Sequence, residues 1–418
     1  MTPPISQQRL QNDISTNADF GSLEDQDGYG RTALTATEAN RRAREFLLER
    51  MEDAGLETRI DSVGNIVGRW VPQTADPDAA PVVTGSHLDS VPEGGIFDGP
   101  LGVFAGLESI RALQETDVSL TQPIQLVCFT EEEGQRFGDG LLGSAVATGQ
   151  LSVEDAHCFQ DDSGTRLDTA LEEIGFQGDG RIDASKWDSW LELHVEQGTK
   201  LEDAGKNAGV VTTITGITHC YVEITGKANH AGSTPMLERS DALAAASEFI
   251  LEIESKANQL ATDHSESAVG TVGKAQVEPN ATNVIPGSVT IGVDIRDVER
   301  SSMEELVSTL EATADRIEDT RSVDVSITQP YDLPPEPMAD RCRNALEEAA
   351  ATAELDVLEM TSGAAHDTMN VATVTDAGLL FAPSEDGISH NPMEWTSWDD
   401  CTKATTILAI ALARLAQR

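Results

Sequence analysis

The stretch PVVTGSHLDSVPEGGIFDGPLGVFAGLE (residues 81–108) decides how the chain is read. It begins as an apolar run, opens into a glycine-rich polar segment carrying His87, Asp89 and Asp98, and closes into a second apolar run. An apolar run that ends abruptly in polar residues is the pattern of a buried strand reaching a functional edge. The spacing predicts a strand at the start and a helix around Gly102–Glu115. A loop that only turned a corner would need no histidine, and the 418-residue chain has eight. The glycines are expected to let the backbone bend back between His87 and Asp98.

Two further stretches repeat the pattern. PIQLVCFTEEE (123–133) and WDSWLELHVEQG (187–198) each run from apolar into polar residues. Residues 39–54 read as an amphipathic helix, and ETRIDSVGNIVGRW (57–70) as two short strands around an Asp-x-x-Gly-Asn turn. Strands alternating with helices predict an α/β domain with ligands beyond the strand ends. From about residue 214 the pattern changes. ITHCYVEITG, TVGKAQV, SVTIGVDIRDV and SVDVSITQ read as strands, and SDALAAASEFILEIESK and SSMEELVSTLEATADRIED as helices. Ser240 is the expected N-cap of the first helix, and Ser302 with Glu305 has capping-box spacing in the second. The order βαββαβ is ferredoxin-like. After the proline-rich DLPPEP (332–337) the chain returns to helix and strand, and ends in the apolar helix TTILAIALARLA (405–416). The predicted fold class is therefore α/β. A discontinuous domain (1–213 and 329–418) holds an inserted α+β domain (214–328).

Composition narrows the function. There are 72 acidic and 28 basic residues, a net charge of −44, and only seven of the basic residues are lysine. The acids are spread along the chain, which reads as a solvated acidic surface. Such a surface with few lysines resembles proteins of salt-loving archaea. Nucleic acid is excluded as an expected partner, because phosphate binding needs a basic face. No apolar run of about 18 residues predicts a membrane span. The N-terminus lacks an apolar signal core, so a cytoplasmic protein is expected. Five scattered cysteines are expected to be free thiols.

Five polar segments carry the chemistry: SHLDS with FDGPLG, FTEEEGQRFG, LELHVEQG, ANHAGSTPM and DGISHNP. They contain His87, Asp98, Glu132, Glu133, His194, His230 and His390. Imidazole and carboxylate are the ligand set for zinc, manganese and similar ions. Three acids directly after the apolar strand IQLVCF are unexpected without counter-charge.

These segments, with PNATNVIPG…DIR and DGISHNPMEWT, resemble in order the metal-dependent aminoacylase/carboxypeptidase-type hydrolases. Within them they resemble the branch of N-carbamoyl-L-amino-acid hydrolases (hydantoinase/carbamoylase), allantoate amidohydrolases and β-ureidopropionases. The resemblance runs from about residue 10 to the C-terminus. It implies a metallopeptidase-like catalytic domain, a lid/dimerisation role for the insert, and two divalent ions (Zn²⁺, Mn²⁺ or Co²⁺) per subunit. By resemblance, His87 and His194 take one ion, Glu133 and His390 the other, and Asp98 bridges both. Glu132 matches the general base, His230 the oxyanion stabiliser, Asn283 and Arg296 the grip on the substrate carboxylate, and Gln197 a contact to the ureido group. Asp89 is placed to hold the other N–H of His87; the alternative is a turn-capping aspartate. An ion pair with Asp294 or Asp297 is the alternative for Arg296, and a turn position the alternative for Asn283.

The chain departs from the family pattern at Glu131, where an asparagine is usual, and at Ala365 before His366-Asp367, where a glycine is usual. Glu131 is expected either to perturb nearby pKa values or to face solvent, and His366 either to line the pocket or to be structural. His157, His219 and His264 are expected to have no role in the reaction. The resemblance implies a homodimer through the insert and hydrolysis of an N-carbamoyl (ureido) C–N bond, giving amino acid, carbon dioxide and ammonia. Allantoate amidohydrolase or β-ureidopropionase is the alternative within the branch. An aminoacylase or dipeptidase is a further rival. A non-catalytic metal-binding relative is opposed by the intact Glu132 and five ligands.

Overall fold

A computed structural model describes residues 2–23 and 28–417. The chain divides into two compact units, Met1–Thr212 with Pro337–Arg418, and Thr213–Glu336.

The first unit is built on a mixed sheet that has nine strands among the described residues. Eight follow in the order Glu57–Ile60, Ile66–Trp70, Ile124–Phe129, Val82–His87, Ser189–Val195, Asp376–Ala382, Ala208–Ile214 and Glu336–Pro337; Val357–Ser362 pairs with Ala208–Ile214. Val82–His87 is buried at every residue and lies parallel to Ile124–Phe129 and to Ser189–Val195. Asp376–Ala382 is parallel to Ser189–Val195 on its other side. Strands covered on both faces read as continuous apolar runs rather than alternating ones. Full burial of each such valine or leucine contributes about 1.5–3 kcal/mol. In the turn after Ile60, the Asp61 carboxylate accepts the Val63 and Asn65 N–H groups at 3.1 and 2.9 Å and closes the expected hairpin.

Helix Pro100–Gln114 starts two residues after Asp98, with Pro100 at its first turn, where the fixed φ suits a helix start. Leu101, Val103, Phe104, Leu107 and Ile110 are all buried. The C-terminal helix Trp398–Leu415 packs against it. That helix begins earlier than its apolar core suggests, because Ser397 caps it by accepting the Asp400 N–H. None of the five cysteines, all among the described residues, forms a disulfide. Among the described residues no helix is long and apolar enough to cross a membrane.

The second unit is a four-stranded antiparallel sheet in the order Asp324–Leu333, Gly216–Thr225, Ser288–Asp297, Val269–Glu278. Helices Ala242–Asp263 and Arg300–Arg321 pack against this sheet. Val289, Ile291, Val293 and Ile295 alternate inward against Phe249, Ile253, Leu306 and Leu310. This is the ferredoxin-like pattern of the sequence.

Three details differ from expectation. Asp241, not Ser240, caps Ala242–Asp263, accepting the N–H groups of Leu243 and Ala244; a charged acceptor also gains from the helix dipole. Ser302 is not a cap. It lies buried inside the first turn of Arg300–Arg321, which begins as soon as the chain leaves the sheet, with Glu299 at the N-cap. The last strand does not stop near 328 but runs through Pro330 to Leu333. It is an edge strand whose register shifts between Thr328 and Tyr331, where a residue without an N–H is tolerated.

Candidate metal centre

The parallel strands end at one place, and the candidate residues collect there. His87 closes its strand, His194 is next to last in Ser189–Val195, and Glu132 and Glu133 follow Ile124–Phe129. Asp98 lies at the middle. Its Oδ1 is 3.6 Å from His87 Nε2 and 3.3 Å from His194 Nε2, and its Oδ2 is 3.3 Å from His390 Nε2. His390 Nε2 is also 3.4 Å from Glu133 Oε2, and His87 Nε2 is 3.6 Å from Glu132 Oε2. One oxygen of Asp98 thus faces His87 and His194, and the other faces His390 beside Glu133.

The imidazoles are oriented from behind by main chain. His87 Nδ1 lies 3.1 Å from the Asp89 carbonyl, and His194 Nδ1 lies 3.1 Å from the Val195 carbonyl. A proton held on Nδ1 by a carbonyl leaves the Nε2 lone pair for a ligand. Asp89 therefore orients His87 through its backbone. Its carboxylate Oδ1 stands 3.8 Å from that ring, and Oδ2 accepts the Glu133 N–H at 3.1 Å. The bend of the loop is likewise not where the sequence suggested. Gly94 and Gly95 are not in the left-handed region; Glu93 (φ 53°) and Gly99 (φ 80°) are. A Cβ on Gly99 would fall 2.5 Å from the His87 ring, so this glycine makes room for the imidazole. Glu131, Gln197 and His390 also have positive φ. Non-glycine residues in that region are uncommon and tend to cluster at functional sites.

Burial sets the electrostatics. It pushes the Glu133 carboxyl up to about 7, with Asp98 adding to the rise. Glu132 is raised by burial and by Glu133, Asp367 and Asp98, against the pull of His87. Burial opposes ionisation of Asp98 too, but His194, His390 and His87 outweigh it and hold the group well below the usual range. His390 is raised to about 9, first by its bond to Asp98 and then by Glu133. So many acids in a low-dielectric pocket repel one another, and cations relieve that repulsion.

The residues fit divalent cations. His87 Nε2 and Glu133 Oε1 are buried without a hydrogen-bond partner. Three donor groups lie close enough to share an ion: His87, Asp98 and His194; Asp98, Glu133 and His390; and His87, Glu132 and Glu133. Asp98 belongs to two of these. Nitrogen and oxygen donors of this kind suit zinc or manganese.

Gln197 donates its Nε2 to Asp98 Oδ2 at 3.0 Å and to Ser389 Oγ at 3.2 Å. Glu131 does not face solvent. Its buried Oε1 accepts the Arg136 and Phe137 N–H groups at 2.6 and 2.7 Å, holding the turn after the Glu triplet. His366 is fully buried, 4.5 Å from the His194 ring between centroids, with Nε2 3.2 Å from Ser362 Oγ. Burial and then His194 lower its pKa well below the usual value, so it packs as a neutral ring.

Two residues not singled out from the sequence brace this centre. Buried Arg31 donates to the Leu88 and Gly95 carbonyls at 3.1 and 3.3 Å, clasping both ends of the loop between His87 and Asp98. Glu192 accepts from Ser86 Oγ and Thr368 Oγ at 2.6 Å each, tying the His87 and His194 strands together. An acid inside the apolar run WLELHV was the available hint for Glu192; nothing local marked Arg31.

The remaining candidates belong to the second unit. His230 and Asn283 are neighbours there, since Val284 pairs with His230 across a short ribbon, and both are exposed. His230 Nδ1 accepts the Gly232 and Ser233 N–H groups at 3.0 and 3.2 Å. That places the proton of the neutral ring on Nε2, where it can be donated outward. Arg296 Nε donates to Asp294 Oδ1 at 3.1 Å, so the ion pair weighed from the sequence is present.

A profile described as peptidase family M20/M25/M40 matches residues 83–414. The chain belongs to this family. It is 36% identical over 403 residues to an N-carbamoyl-L-amino acid amidohydrolase of Geobacillus stearothermophilus, covering 96% of this chain and 97% of the relative. It is 37% identical over 385 residues to an allantoate amidohydrolase of Bacillus subtilis, covering 91% and 90%. The crystal structure of a hydantoinase/carbamoylase family amidase from Burkholderia multivorans superposes with a TM-score of 0.90 at 33% identity, covering 99% of this chain and 98% of that one. Within the M20 family the chain falls in the hydantoinase/carbamoylase amidase branch.

Proposed function

We propose that this metal-dependent amidohydrolase hydrolyses the ureido C–N bond of N-carbamoyl-L-amino acids, giving amino acid, carbon dioxide and ammonia. One observation carries the reading. The two oxygens of Asp98 face two different sets of donor side chains, His87 with His194 and His390 with Glu133, and Glu132 lies beside His87. His87 and His194 with Asp98 would hold one cation, and Glu133 and His390 with Asp98 a second. Divalent cations bound there polarise a carbonyl and make water more acidic.

The chain's own residues do the rest. Glu132 takes a proton from the attacking water and returns it to the leaving nitrogen; its buried setting raises its proton affinity toward that of a relay. His230 donates from Nε2 to the developing oxyanion, a contribution worth roughly 3–4 kcal/mol in comparable sites. Arg296 and Asn283 grip the substrate carboxylate, the guanidinium binding both oxygens. Gln197, already aimed at Asp98, contacts the ureido group.

We also infer a homodimer through the second unit. The outward face of Ala242–Asp263 carries exposed Leu243, Ile250 and Leu251, and the edge strand Val269–Glu278 carries exposed Val269.

The reading is tested by ammonia release from N-carbamoyl-L-amino acids, allantoate, ureidoglycolate and N-carbamoyl-β-alanine, at high salt with added Zn²⁺, Mn²⁺ or Co²⁺. Highest kcat/KM on an N-carbamoyl-L-amino acid is expected. A preference for allantoate would move the chain to the second reading, and turnover of none would refute both.

A further inference from the structure

We propose that Glu394 is a positioning residue that holds Asp98 and His390 together as cation ligands, a role that rests on the cation-site reading above. Its carboxylate is buried. Oε1 accepts the main-chain N–H of Phe97 at 2.9 Å and of Asp98 at 3.0 Å. Oε2 accepts from Ser389 Oγ at 3.1 Å, and Ser389 immediately precedes His390. One carboxylate thus fastens the backbone of Asp98 to the turn that carries His390, across almost 300 residues of sequence.

The local sequence is cut to fit. A Cβ on Gly95 would fall 2.1 Å from Glu394 Oε1, so only glycine lets the carboxylate reach the two N–H groups. Ser389 gives the arrangement a second function. Its hydroxyl has one proton and two acceptors in reach, Glu394 Oε2 and Asp98 Oδ2, the latter at 2.8 Å. Gln197 Nε2 donates to both Ser389 Oγ and Asp98 Oδ2. A cation drawn to Asp98 Oδ2 competes for the lone pair that Ser389 uses. With Glu394 beside it, the hydroxyl turns over and stays bonded, so Oδ2 is freed without stranding a buried donor. Glu394 therefore both fixes the ligand geometry and receives the hydrogen bond that cation binding displaces.

The test is cation affinity measured by equilibrium dialysis with Mn²⁺, without substrate, on the full chain. Glu394→Ala should weaken binding roughly 10–100-fold, the range seen when outer partners of metal ligands are removed. Glu394→Gln keeps the Oε1 acceptor and should recover most of the affinity. Gly95→Ala, which displaces the carboxylate, should lose affinity in the same direction. Ser389→Ala removes the link to His390 together with the hydroxyl's contacts to Asp98 Oδ2 and Gln197, but leaves the Glu394 Oε1 bonds in place; it covers the case in which Glu394→Ala fails to fold and should lose less. Wild-type affinity in Ser389→Ala and in whichever of the Glu394→Ala and Gly95→Ala proteins keeps the wild-type Tm would overturn the proposal. So would equal losses in Glu394→Gln and Glu394→Ala. The wild-type stoichiometry is read separately: fewer than two Mn²⁺ per chain would count against the two-cation reading and leave the comparison between variants intact.

Discussion

The two units handle the same kinds of side chain in opposite ways. In the first, His87, His194 and Asp98 are buried; main-chain carbonyls hold the two rings from behind, and the Glu394 carboxylate accepts the main-chain N–H of Asp98. In the second, His230 and Asn283 are exposed, and Arg296 leans on an acid of its own strand. The difference follows from the tasks proposed. Ligands that share a cation must be held within about half an ångström of the productive geometry. Groups that grip a substrate must be reachable before it arrives. Burial raises the electrostatic stakes of the charges around Asp98, whereas solvent screens those of the exposed groups in the second unit.

Substitutions can break this contrast, and the largest effect is expected in the first unit. Glu132→Gln should lower kcat by about 10²–10⁴-fold, with cation content unchanged by elemental analysis; wild-type turnover would remove Glu132 from the proton relay. In the second unit, His230→Ala should lower kcat by about 10²–10³-fold with KM and cation content nearly constant, since only the transition state carries the oxyanion. A rise in KM alone would reassign His230 to substrate binding. Arg296→Lys should chiefly raise KM, by about tenfold if one charge-assisted hydrogen bond is lost. An unchanged KM would mean that Arg296 serves only its pair with Asp294. The smallest effect concerns the surface. With a net charge of −44, salt should screen self-repulsion and raise Tm across the molar range of KCl; a Tm that is flat or falls with salt would remove the high-salt reading.

Sequence legibility followed the same division. In the second unit one sheet face is half-exposed, so strict alternation such as SVTIGVDIRD revealed strands directly. In the first, buried strands showed only as apolar runs, but their abrupt polar ends marked the site. What stayed hidden depended on contacts far apart in the chain or on main chain. Nothing near residue 394 says that it meets the N–H groups of Phe97 and Asp98, and nothing near residue 31 says that it clasps Leu88 and Gly95. Asp89 was singled out, yet the atom that orients His87 is its carbonyl, which any residue has. The observed N-caps Asp241 and Glu299 differ from the expected ones by one residue and by three, because strand ends and tertiary contacts decide where a helix begins. The run SVDVSITQ stops before Pro330, and only the place of that residue at an irregular edge keeps it in the strand.

The proposed role of Asp98 is to join two cation positions into one hydrolytic centre. It is tested most directly by cation content per folded chain, compared between the wild type and Asp98→Asn after equilibration with Zn²⁺ or Mn²⁺ and removal of free ion. Two equivalents are expected in the wild type and a loss from both positions in Asp98→Asn, with hydrolysis abolished. Two equivalents retained by Asp98→Asn at wild-type affinity would contradict it.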